Sequence, residues 1–171
     1  ISITQPTEWG VLYTPDEIRA LAAFAHEHEL LLHVDGARFC NAAAALGVSL
    51  AELAPRCGVD ILSFGGTKNG LLGAEAVLFF DRSLAAEAAW ARKQAMQLAS
   101  KMRFLSAQFL AYLEDDLWRE LATQANAMAA RLAGACSAVP GLSLVAPVDC
   151  NMLFAKLPAG AIAPLQERFP F

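Results

Sequence analysis

Apolar and polar positions along the chain switch between the two periods that distinguish strands from helices. Ser2 to Thr4 is short and β-like, and residues 5–13 read as a loop holding Pro6 and Gly10. Thr14-Pro15-Asp16-Glu17 marks a helix start. Thr14 is a good N-cap, Pro15 takes the first helical position, and Glu17 closes a capping box. This helix is expected to run to about Glu29, with Ile18, Leu21, Ala22 and Ala25 on one face. Leu30 to Val34 is a continuous apolar run ended by Asp35, the pattern of a strand buried on both faces. Ala42 to Leu46 reads as a helix stopped by Gly47, and Ser49 caps a short helix that must end near Pro55. Asp60 to Phe64 and Ala76 to Phe80 read as strands on either side of a glycine-rich turn. From Ser83 to about Ala135 the pattern is almost wholly helical, with a soft spot between Met96 and Ser100. Pro140-Gly141 breaks it, and Leu142 to Val145 and Met152 to Leu157 read as short strands before a last helical stretch.

The β-α-β-turn-β alternation predicts an α/β fold, a mainly parallel sheet with helices on both faces. Residues 136–171 are expected to open a second, smaller domain. Of the 171 residues, 56% are apolar, which raises the question of a membrane. The longest charge-free stretch, Leu132 to Val148, contains Pro140, Pro147 and two glycines, so no segment is expected to span a bilayer. The net charge is −4, and thirteen Lys and Arg are scattered without a basic stripe. That argues against a nucleic-acid partner. Cys40, Cys57, Cys136 and Cys150 form no CxxC pair, so neither a zinc ribbon nor a redox motif is expected. They fit buried free thiols in a reducing compartment, and the cytoplasm is the expected location. The chain starts at Ile1 directly in strand-like sequence and stops at Phe171 after a short helical pattern, so it reads as a piece of a longer enzyme.

Three features carry chemistry. Asp35-Gly36-Ala37-Arg38 follows one expected strand, Lys68 follows another inside a glycine-rich turn, and Lys93 and Arg103 flank the helical soft spot. Ligands of open α/β sheets bind outside the carboxyl ends of strands, so Asp35 and Lys68 point to one edge. A P-loop is excluded because Asn69 follows Lys68 and the GxxxxGK[ST] spacing is absent. Two readings of Lys68 remain: an exposed loop lysine, or a lysine that bonds an aldehyde. Aldehyde bonding usually serves pyridoxal phosphate, which needs a carboxylate against its ring nitrogen. Asp35 is the candidate, although an Asp before Gly36 is also a common helix cap. Arg38 similarly reads as either a ligand or the cover of a helix start, and Lys93, beside Arg92, as either a ligand or part of a solvated face. His33 is read as a satisfied structural residue facing another layer than Asp35, and no base role is assigned to it.

His33-Val34-Asp35-Gly36-Ala37-Arg38-Phe39 and Ser63-Phe64-Gly65-Gly66-Thr67-Lys68-Asn69-Gly70 resemble the low-specificity L-threonine aldolases, within the β-eliminating lyases of fold-type I pyridoxal-phosphate enzymes. Ile3-Thr4-Gln5 with Glu8, Gly10 and Tyr13, and Lys101-Met102-Arg103, are similar to the same group in the same order. The resemblance implies that residues 1–135 form the C-terminal half of a cofactor domain and that Lys68 bonds the pyridoxal phosphate. It implies that Asp35 pairs with the ring nitrogen, that Arg38 lies beside the ring hydroxyl or phosphate, and that Thr67 lies near the phosphate. Lys93 and Arg103 would line the site from this or a neighbouring subunit of a homodimer or homotetramer. The implied reaction is retro-aldol cleavage of threonine, allo-threonine and related β-hydroxy-α-amino acids to glycine and an aldehyde. The alternatives are a β-elimination releasing pyruvate and ammonia, and a non-catalytic fragment serving subunit association.

The family's phosphate-binding turn, its stacking histidine, its β-hydroxyl base and its carboxylate-gripping arginine have no counterpart in these residues. The isolated chain is therefore expected to bind the cofactor poorly. Leu71-Leu72-Gly73-Ala74-Glu75 replaces the usual Gly/Pro-rich turn, and Phe104 stands where many relatives have Gln, which bears on substrate range.

Overall fold

In the computed structural model, which describes residues 1–169, a four-stranded sheet runs in the order β1 (Ser2–Thr4), β2 (His33–Gly36), β3 (Ile61–Gly65) and β4 (Glu75–Phe79). The first three strands are parallel and β4 runs antiparallel to β3. An antiparallel neighbour needs only a loop, so the chain turns straight back after β3. Residues 66–74, Lys68 among them, are that loop. The fold is α/β.

The Thr14 signal is realised in full. Helix α1 (Pro15–Glu27) begins with a capping box in which the Glu17 N–H donates to Thr14 Oγ1 and the Thr14 N–H donates to Glu17 Oε2 at 2.7 Å. After it, Leu30 does not enter the sheet: its N–H donates to Ala25 O and finishes the helix. Leu30 and Leu31 are 47% and 43% exposed, so the strand expected from Leu30 starts instead at His33. A short apolar run fits a helix terminus as well as a strand, and here the helix claimed its first residues.

Helices α2 (Phe39–Leu46) and α3 (Leu50–Leu53) join β2 to β3, and Ser49 caps α3 with Glu52 as Thr14 caps α1. One core unites Ile18, Ala22 and Ala25 of α1 and Phe39 and Leu53 with Val34, Leu62 and Phe64 of the sheet. Those three sheet residues share one face, because alternate strand residues point the same way. Consecutive neighbouring strands with right-handed crossovers put every crossover helix on the same side. Within these residues, therefore, the core helices cover one face. The other carries Ser2, Thr4, His33, Asp35, Ser63 and Glu75.

The long helical region is divided. A short turn at Arg82–Ala85 precedes α4 (Ala88–Gln94), then α5 (Arg103–Leu113) and α6 (Leu117–Ser137). The breaks fall where Met96, Lys101, Asp115 and Asp116 take positive φ between 49° and 58°. Such residues end a helix without glycine or proline. The first break is the soft spot read between Met96 and Ser100, and the pattern runs through the one at Asp115 and Asp116. Helix α6 lies along α2, where small buried side chains (Ala42, Ala43, Ala122 and Ala129) allow close approach. Asn126 Nδ2 donates to Asn41 O at 2.9 Å across that contact.

Beyond α6, the two expected strands shorten to an antiparallel pair, β5 (Ser143–Leu144) and β6 (Ala155–Lys156), followed by α7 (Ala159–Arg168). The segment between β5 and β6 docks on the 7–13 loop. Leu12 N–H donates to Asp149 Oδ2, the Cys150 thiol donates to Gly10 O, and Trp9 meets Phe154 at 5.3 Å. All four cysteines are unpaired, and Cys40, Cys57 and Cys150 are buried. Among the described residues no helix is long and apolar enough to cross a membrane.

Candidate active site

Asp35 and Lys68 come to the same edge of the sheet. Asp35 is the next-to-last residue of β2, where its Cα pairs with Ser63 of β3, and Lys68 lies three residues past the end of β3. The two segments touch through glycine: a Cβ on Gly65 would lie 2.7 Å from both Cα and O of Ala37. Only a glycine lets β3 pass so close to the loop that follows Asp35. Gly66 is equally confined, its missing Cβ 2.7 Å from Ala74 O across the hairpin.

Asp35 is exposed, and its Oδ1 accepts the Ala37 N–H at 3.1 Å. Its other oxygen has no partner among the described residues. The Asp therefore caps the local turn, as an Asp before glycine should, and still presents an oxygen outward. Gln5 supports it from β1. The Gln5 N–H donates to Asp35 O at 2.9 Å, while the buried Gln5 side chain clamps both N–H and C=O of Tyr13. The sequence named Gln5 only within the Ile3-Thr4-Gln5 similarity and gave no signal for that role.

Lys68 is exposed and makes no ion pair among the described residues. It sits in a single helical turn, Thr67–Asn69, whose Thr67 N–H donates to Glu75 Oε1 at 3.2 Å. Asn69, next to Lys68, is buried and anchors the turn. Its Nδ2 donates to Tyr112 Oη at 2.6 Å and to Trp118 O at 3.0 Å. Burial raises the Tyr112 hydroxyl far above its ordinary range, and it pushes the adjacent Cys40 thiol up to about 11. Both stay protonated and neutral at physiological pH, as a buried network requires.

Arg38 is half-buried immediately ahead of α2, so it both covers a helix start and lies three residues beyond Asp35. Thr67 is exposed beside Lys68. Arg103 opens α5, with its guanidinium 4.9 Å from the Phe104 ring. Further along, α5 meets the Lys68 hairpin: Leu72 N–H donates to Gln108 Oε1 at 2.7 Å, and Tyr112 holds Asn69. Lys93 is not brought to this group. It lies exposed in the last turn of α4, a helix that packs on the Arg82–Ala85 turn.

His33 departs from expectation. Residues two apart on a strand share a face, so His33 and Asp35 point to the same side of the sheet. His33 bridges three strands, with Nδ1 2.8 Å from Ser2 Oγ and Nε2 3.0 Å from Ser63 Oγ. It is satisfied, as expected, but on the face of Asp35.

This arrangement has relatives. The family model for beta-eliminating lyases matches residues 1–159. The chain belongs to the beta-eliminating lyase family. Curated members similar to it include the low specificity L-threonine aldolase of Pseudomonas aeruginosa, 51% identical over 168 residues, and that of Pseudomonas sp., 47% identical over 168 residues. Each alignment covers 98% of this chain and 49% of the relative. The chain thus spans about half the length of the curated lyase-family relatives it matches. Among solved structures, the threonine aldolase of Leishmania major superposes with a TM-score of 0.89 at 33% identity, over 97% of this chain and 48% of that one.

Proposed function

We propose that the protein carrying this chain cleaves threonine-type β-hydroxy-α-amino acids to glycine and an aldehyde, using pyridoxal phosphate at the Asp35–Lys68 edge. One observation carries the reading: at the carboxyl ends of adjacent parallel strands that glycine packs together lie a lysine without an ion pair and a carboxylate with an oxygen that has no partner, both among the described residues. The names of the similar proteins support the same reaction.

The residues present fit that cofactor. The outward oxygen of Asp35 suits an N–H donor such as a protonated ring nitrogen, and the exposed amine of Lys68 suits an aldehyde. When bound, pyridoxal phosphate supplies the electron sink for cleavage of the Cα–Cβ bond. Asp35 holds a proton on the ring nitrogen, because an adjacent negative charge favours the protonated form. Lys68 would hold the cofactor through its exposed amine. Arg38 and Thr67 supply donors for the phosphate or ring hydroxyl, and Arg103 lines the site. Lys93 reaches a site only from another subunit of a homodimer or homotetramer, the assembly that this reading includes. The base for the β-hydroxyl proton is assigned to no residue of this chain. Residues 1–135 are read as part of the cofactor domain and 136–171 as the start of a smaller one, in a cytoplasmic enzyme.

The family description favours a second reading, β-elimination to a 2-oxo acid and ammonia on the same residues. Incubating the full-length protein with L-threonine and pyridoxal phosphate decides between them. Glycine with acetaldehyde supports the aldolase; a 2-oxo acid with ammonia supports elimination and overturns it.

A further inference from the structure

Beneath the Lys68 turn runs a buried polar chain that the reaction as described does not use. Tyr112 is fully buried, and its ring packs against Phe64 with centroids 6.4 Å apart. A phenylalanine would fill that space, and a hydroxyl there is costly unless it is satisfied. The hydroxyl accepts from Asn69 Nδ2 at 2.6 Å and lies near the Cys40 thiol, itself 1% exposed. Both neighbours belong to segments of the candidate site. Asn69 follows Lys68, and within the Thr67–Gly70 turn it is the buried residue, the other three being exposed. Cys40 lies in the first turn of α2, two residues past Arg38 and five past Asp35. Tyr112 itself stands on α5, the helix that Arg103 begins. One hydroxyl thus links three segments that are far apart in sequence.

We propose that Tyr112 is a positioning residue for the reaction, acting through Asn69 on the Lys68 turn. The inference rests on the assignment of Lys68 and Asp35 made above. Asn69 spends both amide protons inward, on Tyr112 Oη and Trp118 O, so the turn cannot roll about the sheet edge while both bonds hold. Without the hydroxyl, one bond remains and the turn gains a rotation that moves Lys68 relative to Asp35. Sub-ångström errors of this kind lower turnover rather than binding.

The test uses the full-length protein, with borohydride reduction to count cofactor fixed on Lys68. Wild type must first show that adduct; if it shows none, the functional reading itself fails and this proposal falls with it. With the adduct present, Tyr112→Phe is expected to lower kcat per fixed cofactor about tenfold, with KM within about twofold. It should also weaken the circular dichroism of the bound cofactor. Asn69→Ala, which removes both bonds, should act in the same direction and at least as strongly. A purely structural hydroxyl would lower thermal stability and the number of loaded sites, leaving the rate per site and the dichroism unchanged. That result in Tyr112→Phe overturns the proposal. If Tyr112→Phe does not fold, unchanged per-site rate and dichroism in Asn69→Ala overturn it equally.

Discussion

Gly65→Ala tests the contact on which the candidate site depends. The new Cβ would meet Ala37 Cα and O at 2.7 Å and Ala37 C at 2.9 Å, all of them backbone atoms. Carbon atoms rest at about 3.5 Å or more, so β3 and the loop after Asp35 must separate by roughly 0.8 Å. Forcing a methyl into a packed site costs about 1–3 kcal/mol, and replacing glycine in a strand returns about 0.5–1 kcal/mol. The net expectation is a loss of about 1–2 kcal/mol. The effect on rate should be larger in proportion. A displacement near 1 Å between catalytic groups costs about 10²-fold, so turnover should fall by some tens of fold. Gly134→Ala is the matched control, since a Cβ there meets nothing within 4 Å and the position lies inside α6. It should raise stability by about 0.5–1 kcal/mol and leave turnover alone. Thermal melts and initial rates of both variants decide the matter. Wild-type turnover in Gly65→Ala would refute the argument that this contact sets the distance between the two site segments.

Asp35→Asn should retain cofactor but lower turnover by about 10²–10³-fold, measured as glycine released, because a pre-placed charge is lost. Thr14→Ala should cost about 1 kcal/mol of stability in a thermal or urea melt, by removing the cap of α1. Hydrogen bonds from Thr14 and Ser49 hold the Glu17 and Glu52 carboxyls below their ordinary value of 4.5. Groups whose pKa is lowered on folding stabilise the fold above the ordinary value, so this contribution should fade as pH falls through their lowered values, and a melting series below pH 5 reads it. Under native conditions a thiol reagent should modify half-buried Cys136 first, with Cys40, Cys57 and Cys150 protected until unfolding, as mass spectrometry of the labelled peptides would report.

What could be read from the sequence is what local chemistry specifies. Thr14-Pro15-Asp16-Glu17 and Ser49 announced their helices because a cap needs only residues three apart. The shared edge of Asp35 and Lys68 followed from strand direction alone. The start of β2 was misread because Leu30 satisfies the α1 terminus rather than the sheet, and apolarity does not distinguish the two. The soft spot read between Met96 and Ser100 is the break between α4 and α5, whereas the break at Asp115 and Asp116 carries no glycine or proline and leaves no trace in the pattern. The Asn69–Tyr112 bond spans 43 residues and Gln5 holds Tyr13 by its side chain, so both depend on tertiary packing. The side of the sheet that His33 occupies was legible all along, from its two-residue offset to Asp35.

The assignment of Lys68 as the residue that bonds the cofactor is tested by reducing the full-length protein with borohydride in the presence of pyridoxal phosphate, followed by peptide mapping. A pyridoxyl group is expected on Lys68, and it should disappear in Lys68→Ala. Labelling confined to Lys93, Lys101 or Lys156, or an unlabelled Lys68 peptide in an active preparation, would contradict the assignment.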